Sequence, residues 1–232
     1  MKNQYCGDIN DFFKYALLRS LLARDFRGTI CWMLTPDDQS GDGRRLGYLQ
    51  QPSRFRTADP VTFDFLSELC RSGRRDVRAV RAGGLLPHAR FFEHTLEDAR
   101  EQRAGYFDEL WRVAEGSDFV FFDPDNGLEI RSITRGNRGS AKYLYLADVE
   151  NALARGHTSV IYQHFPRVDH LSYVESTQRR IREHTGIQPL TLWTSSVLFV
   201  VVPLQHHVVA LTQRLEYASQ TWSDHFTLGW SS

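Results

Sequence analysis

Two carboxylates and an amide, Asp123, Asp125 and Asn126, stand together in the stretch DFVFFDPDNGLE over residues 118–129. Hard oxygen donors in that pattern suit Mg²⁺. His164, flanked by Tyr162, Gln163 and Arg167, supplies a general base or a ligand. Lys14 and Tyr15 add a cation and a phenol, and Asp37, Asp38 and Asp42 form a second acidic group in TPDDQSGDG, residues 35–43. The segment RSITRGNRGSAK, residues 131–142, carries Arg131, Arg135, Arg138 and Lys142 among glycine, serine and asparagine, a composition suited to phosphate contact. With Tyr15 and Arg167, the side chains of Arg135, Arg138 and Lys142 are the substrate-side candidates. No G-x-G-x-x-G, P-loop, H-E-x-x-H or G-x-S-x-G occurs, so nothing indicates a serine nucleophile.

These groups need rigid supports. Phe119 to Phe122 is a continuous apolar run and reads as a buried central strand of a parallel sheet. Pro124 ends its ladder, having no N–H to donate, and Asn126-Gly127 turns the chain. Thr29 to Leu34 and Thr158 to Tyr162 read as further strands, so three strand ends carry polar groups: residues 35–43, 123–129 and 163–167. In a parallel sheet such ends share one cleft. Helical spacing runs from Asp11 to Arg24, from Pro60 to Cys70, from Leu96 to Ala114, from Tyr143 to Arg155, from Val168 to His184 and from Gln205 to Ser219. Residues 76–81 (DVRAVR) alternate as a strand does, and residues 90–93 form a short edge. Pro189–Thr194 and Val197–Val202 pair as a hairpin across Ser195-Ser196, and His225–Trp230 closes the sheet. The expected fold is α/β and Rossmann-like, a mostly parallel sheet with helices on both faces, in a single domain over residues 1–232.

Composition bounds the function classes. Lys+Arg and Asp+Glu both number 28, so no global basic field draws the chain to nucleic acid, and only a local patch can. Cys6, Cys31 and Cys70 are widely spaced, which is neither a disulfide framework nor a metal motif and fits a reducing cytoplasm. The first residues lack the apolar core of a signal peptide. The longest apolar run, Val197 to Leu204, is too short to span a membrane.

The motif pattern carries two resemblances. MKNQY-x-GD-x-NDF-x-KY at residues 1–15, D-P-D-N-G at 123–127 and Y-Q-H-F-x-R at 162–167 resemble a family of uncharacterised bacterial proteins, a likeness that covers most of the chain and implies no activity. The order of features also resembles, more distantly, the S-adenosylmethionine-dependent ribosomal RNA adenine-N6 methyltransferases of the RlmJ type. Their G-N-x-x-D-x-x-K-H stretch is similar to Gly7, Asp8, Asn10, Asp11, Lys14 and Tyr15, and their D-P-P-Y is similar to Asp123, Pro124, Asp125 and Asn126. That resemblance implies a methyltransferase-like, S-adenosylmethionine-binding enzyme. Asp123 would accept a hydrogen bond from the target amine, Thr35, Pro36, Asp37, Asp38 and Gly41 would contact the methionine part of the cofactor, and Glu93 would lie near the ribose. The sequence departs from the pattern where Gly41 and Gly43 come late in the loop and where D-P-D-N-G removes the aromatic that would stack on a flipped base.

Three readings stand open: a methyltransferase acting on a nucleic acid or a nucleotide-like amine; a Mg²⁺-dependent phosphoryl-transfer or nuclease-like hydrolase using Asp123 and Asp125, which resemble the D-x-D strand end of haloacid dehalogenase-type phosphatases; and a non-catalytic module that binds a nucleotide or a protein. The candidate catalytic set is Asp123, Asp125, Asn126, His164 and Lys14. A polar residue at a strand end adds little core packing, so Asp123→Ala is expected to remove activity and leave the fold intact.

Overall fold

The computed structural model describes residues 1–36, 43 and 45–229. The chain begins with α1 (Ile9–Leu21) and β1 (Gly28–Cys31), followed by α2 (Pro52–Phe55), α3 (Pro60–Arg71), α4 (Val77–Ala82), β2 (Ala89–Phe92) and α5 (Arg100–Ala114). Next come β3 (Phe119–Phe122), β4 (Gly127–Leu128), β5 (Tyr143–Leu144), α6 (Leu146–Ala154), β6 (Thr158–His164) and α7 (His170–Thr185). The chain then forms β7 (Leu190–Trp193), β8 (Val197–Val202), α8 (Val208–Thr221) and β9 (Thr227–Gly229).

Seven strands form one sheet in the order β2-β1-β3-β6-β8-β7-β9, while β4 and β5 make a separate two-stranded pair. From β2 to β6 every pairing is parallel; the pairings of β8 with β6 and β7, and of β7 with β9, are antiparallel. This is the Rossmann-like α/β architecture expected from the sequence. Of the parallel strands, β1 and β3 are buried along their whole length, and β3, Phe119–Phe122, is apolar throughout, as a central strand covered on both faces requires.

Side-chain alternation sorts the core into two layers. Ile30, Phe119, Phe121, Val160 and Tyr162 face α1, α3, α4 and α8. Cys31, Val120, Phe122 and Ile161 face α5, α6 and α7. Each fully buried Phe of β3 contributes about 1.5–3 kcal/mol through loss of water contact, which fixes the central strand and hence the position of Asp123.

Three elements differ from expectation. Residues 76–81 are not a strand: Val77 and Val80 are three apart and both buried on one side of helix α4, which Asp76 caps by accepting from Arg78 N at 2.8 Å. The helix expected from Leu96 starts at Arg100 because Leu96 N bonds Leu34 O at 2.8 Å, which spends the preceding turn on crossing the end of β1. The helix expected from Tyr143 starts at Leu146, after β5, with Tyr145 N bonded to the Asp148 carboxylate at 3.1 Å.

The chain passes from β1 outward to β2 and returns to β3 on the other side of β1. The strand order therefore reverses between β1 and β3, which opens a crevice at their carboxyl ends. No helix among the described residues is long and apolar enough to cross a membrane.

Candidate functional site

That crevice holds a buried charge cluster. Asp8 caps α1, its carboxylate accepting from Asn10 N at 2.8 Å and Asp11 N at 3.2 Å. One turn into the helix, Lys14 lies over the end of β3. Its Nζ donates to Asp11 Oδ1 and to Asp123 Oδ2, each at 2.7 Å, and sits 4.6 Å from the Tyr162 ring centroid. Asp11 is held in turn by Gly7 N at 2.8 Å and by the Tyr15 hydroxyl at 3.2 Å. Asp125 meets a second set of cations, with Lys2 Nζ at 3.4 Å and both Lys142 Nζ and the Met1 amine at 4.0 Å.

Burial sets the protonation of this cluster. It disfavours the Lys14 charge, but Asp11 and Asp123 more than restore it and hold its pKa above the ordinary lysine value. Burial also pushes the Asp123 carboxyl up, against the pull of Lys14 and the Met1 amine. Asp8 rises to about 6, first by burial and then by the nearby charge of Asp11. His164 is exposed on its groove side, yet desolvation by its surroundings and repulsion from Lys14 and the Met1 amine push it down to about 4, so its imidazole is neutral at pH 7.

Paired carbonyls mark the switch point. The ammonium group of Met1 donates to Met33 O at 3.2 Å and to Asp123 O at 3.0 Å. These carbonyls follow the ends of the adjacent strands β1 and β3, and Asp123 N in turn bonds Cys31 O at 3.0 Å. Met33 takes φ +43°, so a non-glycine residue makes the left-handed turn as the chain leaves β1.

The cluster lies between two openings. On one side a cleft of about 480 Å³ is walled by Thr35, Pro36, Thr95, Asp98 and Lys142. Asp98 shapes it by accepting from Gly139 N at 2.8 Å and Ala141 N at 2.7 Å. Next to β2, Glu93 Oε2 lies 3.4 Å from Arg81 Nη1. Among the described residues its Oε1 is buried without a hydrogen-bond partner, as are Thr35 Oγ1 and Trp32 Nε1. Three orphaned polar atoms thus gather around the ends of β1 and β2, each costing about 1–3 kcal/mol unless a partner reaches it. On the other side an open groove of about 720 Å³ is lined by Asn10, Arg45, His164, Phe165, Arg167 and His170. Phe165 and His170 stack there at 3.9 Å between centroids and 9° between planes. His164 borders both this groove and the charge cluster.

The structure therefore brings Lys14, Asp123, Asp125 and His164 together. Arg167 is exposed on the groove, and Thr35, Pro36 and Lys142 lie on the cleft. Other candidates stand elsewhere. Asn126 is exposed, and its backbone N–H bonds Lys142 O at 2.8 Å. Tyr15 is fully buried and braces Asp11 rather than facing either opening. Arg135 is bound to Asp148 at 2.9 Å, beside the buried Arg103 at 2.5 Å, and so serves to fasten the loop onto α6. Arg138 is exposed. Asp37, Asp38, Gly41 and Asp42 lie outside the described residues. Within the basic loop, Arg135 is thus taken up by an internal ion pair, while Arg131 and Arg138 are exposed. Asp123 is 1% exposed and ion-paired, so its removal bears on the buried Lys14 as well as on any activity.

Sequence reasoning missed the role of Asp11 as charge partner of Lys14. The spacing of Asp11 and Lys14 was the available signal, since residues three apart meet on one helix face. It also missed Gln163, whose Oε1 accepts from Leu128 N at 2.7 Å and whose Nε2 donates to His164 O at 2.7 Å. Gly127, at φ +93°, makes room for that side chain: a Cβ there would overlap the Gln163 amide. The D-P-D-N-G and Y-Q-H-F stretches are therefore one interlocked unit. Compared with models of protein families and with curated proteins, the chain matches none.

Proposed function

We propose that the protein is an S-adenosylmethionine-dependent methyltransferase that acts on an amine of a nucleic acid or nucleotide. The observation that carries this reading is the pair of carbonyls, Met33 O and Asp123 O, holding the amine of Met1, whose pKa burial lowers, at the sheet's switch point. The methionyl part of S-adenosylmethionine carries the same group, so the Met1 amine is its stand-in. The residues present fit the remainder. The cleft of about 480 Å³ beside the paired carbonyls lies within the usual range of ligand sites, and Thr35 Oγ1 on its wall, with Glu93 Oε1 just past β2, neither with a partner among the described residues, would offer hydrogen-bonding positions for an amino-acid end and a sugar. When bound, the cofactor supplies an electrophilic methyl group on a sulfonium.

The chain's own residues do the rest. Arg45 and Arg167 on the groove attract a phosphate, and the flat Phe165–His170 pair offers a face to a base. Neutral His164, between groove and cluster, can take the proton an amine must lose. Lys14 fixes Asp123 in orientation, and the buried cluster keeps water out of the crevice. The metal-dependent alternative is less well supported. Asp123 is held by Lys14, and Asp125 faces Lys2, Lys142 and the Met1 amine, so a divalent ion would have to displace protein cations from both.

Calorimetric titration with S-adenosylhomocysteine, repeated with Mg²⁺ alone, tests the proposal. Micromolar affinity for the homocysteine compound supports it. Heat from Mg²⁺ alone, lost in Asp123→Asn, would transfer the reading to a metal-dependent hydrolase. Silence from both would favour a binding module.

A further inference from the structure

Residues 71–81 read RSGRRDVRAVR, five arginines against one aspartate. This stretch ends α3, turns at Gly73 and forms α4. Together these two helices border a groove of about 750 Å³ with Phe65, Leu69 and Ala79 among its apolar lining and three arginines, Arg74, Arg75 and Arg78, against two carboxylates, Glu68 and Asp76, as its charged lining. Several of the charges are already used. Arg71 pairs with Glu68, Arg81 with Glu93, and Arg75 donates to Cys6 O and Gly43 O. Asp76 spends its carboxylate on capping α4. Among the described residues, the side chains of Arg74 and Arg78 form no ion pair or hydrogen bond, and both are exposed. Phe65 is half-buried and its ring lies against Gly83, where a Cβ would collide with it.

We propose that this groove is a docking surface for single-stranded nucleic acid. Arg74 and Arg78 contact successive phosphates and the Phe65 ring takes a base. Charge complementarity selects a polyanion, and the chain's zero formal charge makes the concentration of cations here a local feature. Guanidinium groups, rather than ammonium groups, suit bidentate contact with phosphate. A half-buried aromatic beside them favours a strand with unstacked bases over an acidic peptide or a duplex. Arg75 joins this surface to the backbone of Cys6 and Gly43, and Val77 N bonds Asn3 Oδ1 at 3.2 Å. The groove is thereby fastened to the segment that leads into α1. The inference does not rest on the cofactor reading.

Fluorescence anisotropy of the full chain with a labelled single-stranded 20-nucleotide RNA in 50 mM NaCl provides the test. Arg74→Glu/Arg78→Glu is expected to weaken binding at least tenfold and to reduce the salt slope by about 1.4, two phosphate contacts at ~0.7 each. Arg112→Glu/Arg179→Glu changes the net charge equally at exposed positions on α5 and α7 and is expected to weaken binding less than threefold. Phe65→Leu keeps an apolar side chain and is expected to lower affinity about fivefold through lost stacking. Equal loss in the two arginine pairs, no binding by the wild type, or equally effective competition by polyglutamate would each overturn the proposal. Circular dichroism establishes that every variant is folded, and S-adenosylhomocysteine titration of the same proteins reads the cofactor cleft separately.

Discussion

Removing the cation at the centre of the cluster should expose what the cluster costs and contributes. In Lys14→Met, Asp11 and Asp123 each lose a 2.7 Å ion pair made by a side chain that is 1% exposed. Breaking a buried pair by deleting one partner typically costs about 3–5 kcal/mol. The nearby Met1 amine offsets some of this, which places the expectation at the lower end. At about 2–4 °C per kcal/mol for a chain of this size, 3 kcal/mol lowers Tm by about 6–12 °C. The loss should depend on pH. Burial already raises the Asp123 pKa against the pull of Lys14; without Lys14, Asp123 binds a proton still more readily in the fold than in the unfolded chain, so acidification relieves the variant, and the Tm gap should narrow between pH 8 and pH 5. Lys14 itself titrates above its ordinary value in the fold, so its contribution is present throughout that window and is lost only at high pH. Thermal denaturation followed by circular dichroism at both pH values is sufficient. A Tm within 2 °C of the wild type at pH 8, or an equal drop at both pH values, would refute the reasoning. Replacing the whole triad, Asp11→Asn/Lys14→Met/Asp123→Asn, removes the unpaired charges and should recover at least half of the loss.

Asp8 titrates near 6 against an ordinary 3.8, so the fold favours its protonated form. Its contribution is fully present below about pH 3.8 and gone above about pH 6, and Asp8→Asn, which keeps the cap, should raise Tm at pH 8 with little change at pH 4. Gly127→Ala should cost about 2 kcal/mol or more in urea denaturation, because φ +93° and the Gln163 amide both oppose a Cβ; a change under 0.5 kcal/mol would contradict the interlock. For the proposed reaction, His164→Ala should lower kcat about a hundredfold while leaving S-adenosylhomocysteine affinity unchanged; an equal loss in affinity would make His164 part of the cofactor cleft.

The fold was legible where hydrophobic pattern and burial agree. Phe119–Phe122 is buried on both faces, so its apolar run and the acidic turn after it could be located from the sequence, as could the hairpin from Leu190 to Val202. Residues 77–82 misled because Val, Ala and Val in so short a window satisfy a period of two or of three and a half, and only packing against α3 decides between them. Within the site, Asp123, Asp125 and His164 were legible as polar groups at strand ends. That Lys14 reaches across 109 residues to Asp123 was not, because no local pattern encodes a long-range ion pair. The loop at 131–142 advertised basic charge, yet Arg135 is consumed by Asp148. The concentration of arginines at 71–81 was visible in the sequence, but its exposure required the helices to be placed.

The chain has two methionines. Met1 donates its ammonium group to the carbonyl of Met33 and to that of Asp123. Both are reporters of the proposed cofactor crevice, so ¹³C-methyl methionine NMR during titration with S-adenosylhomocysteine reads it directly. The Met1 methyl signal is expected to move as the ligand's ammonium group displaces the amine of Met1, and Met33 to follow with the same dissociation constant. Two signals unchanged at millimolar ligand would contradict it.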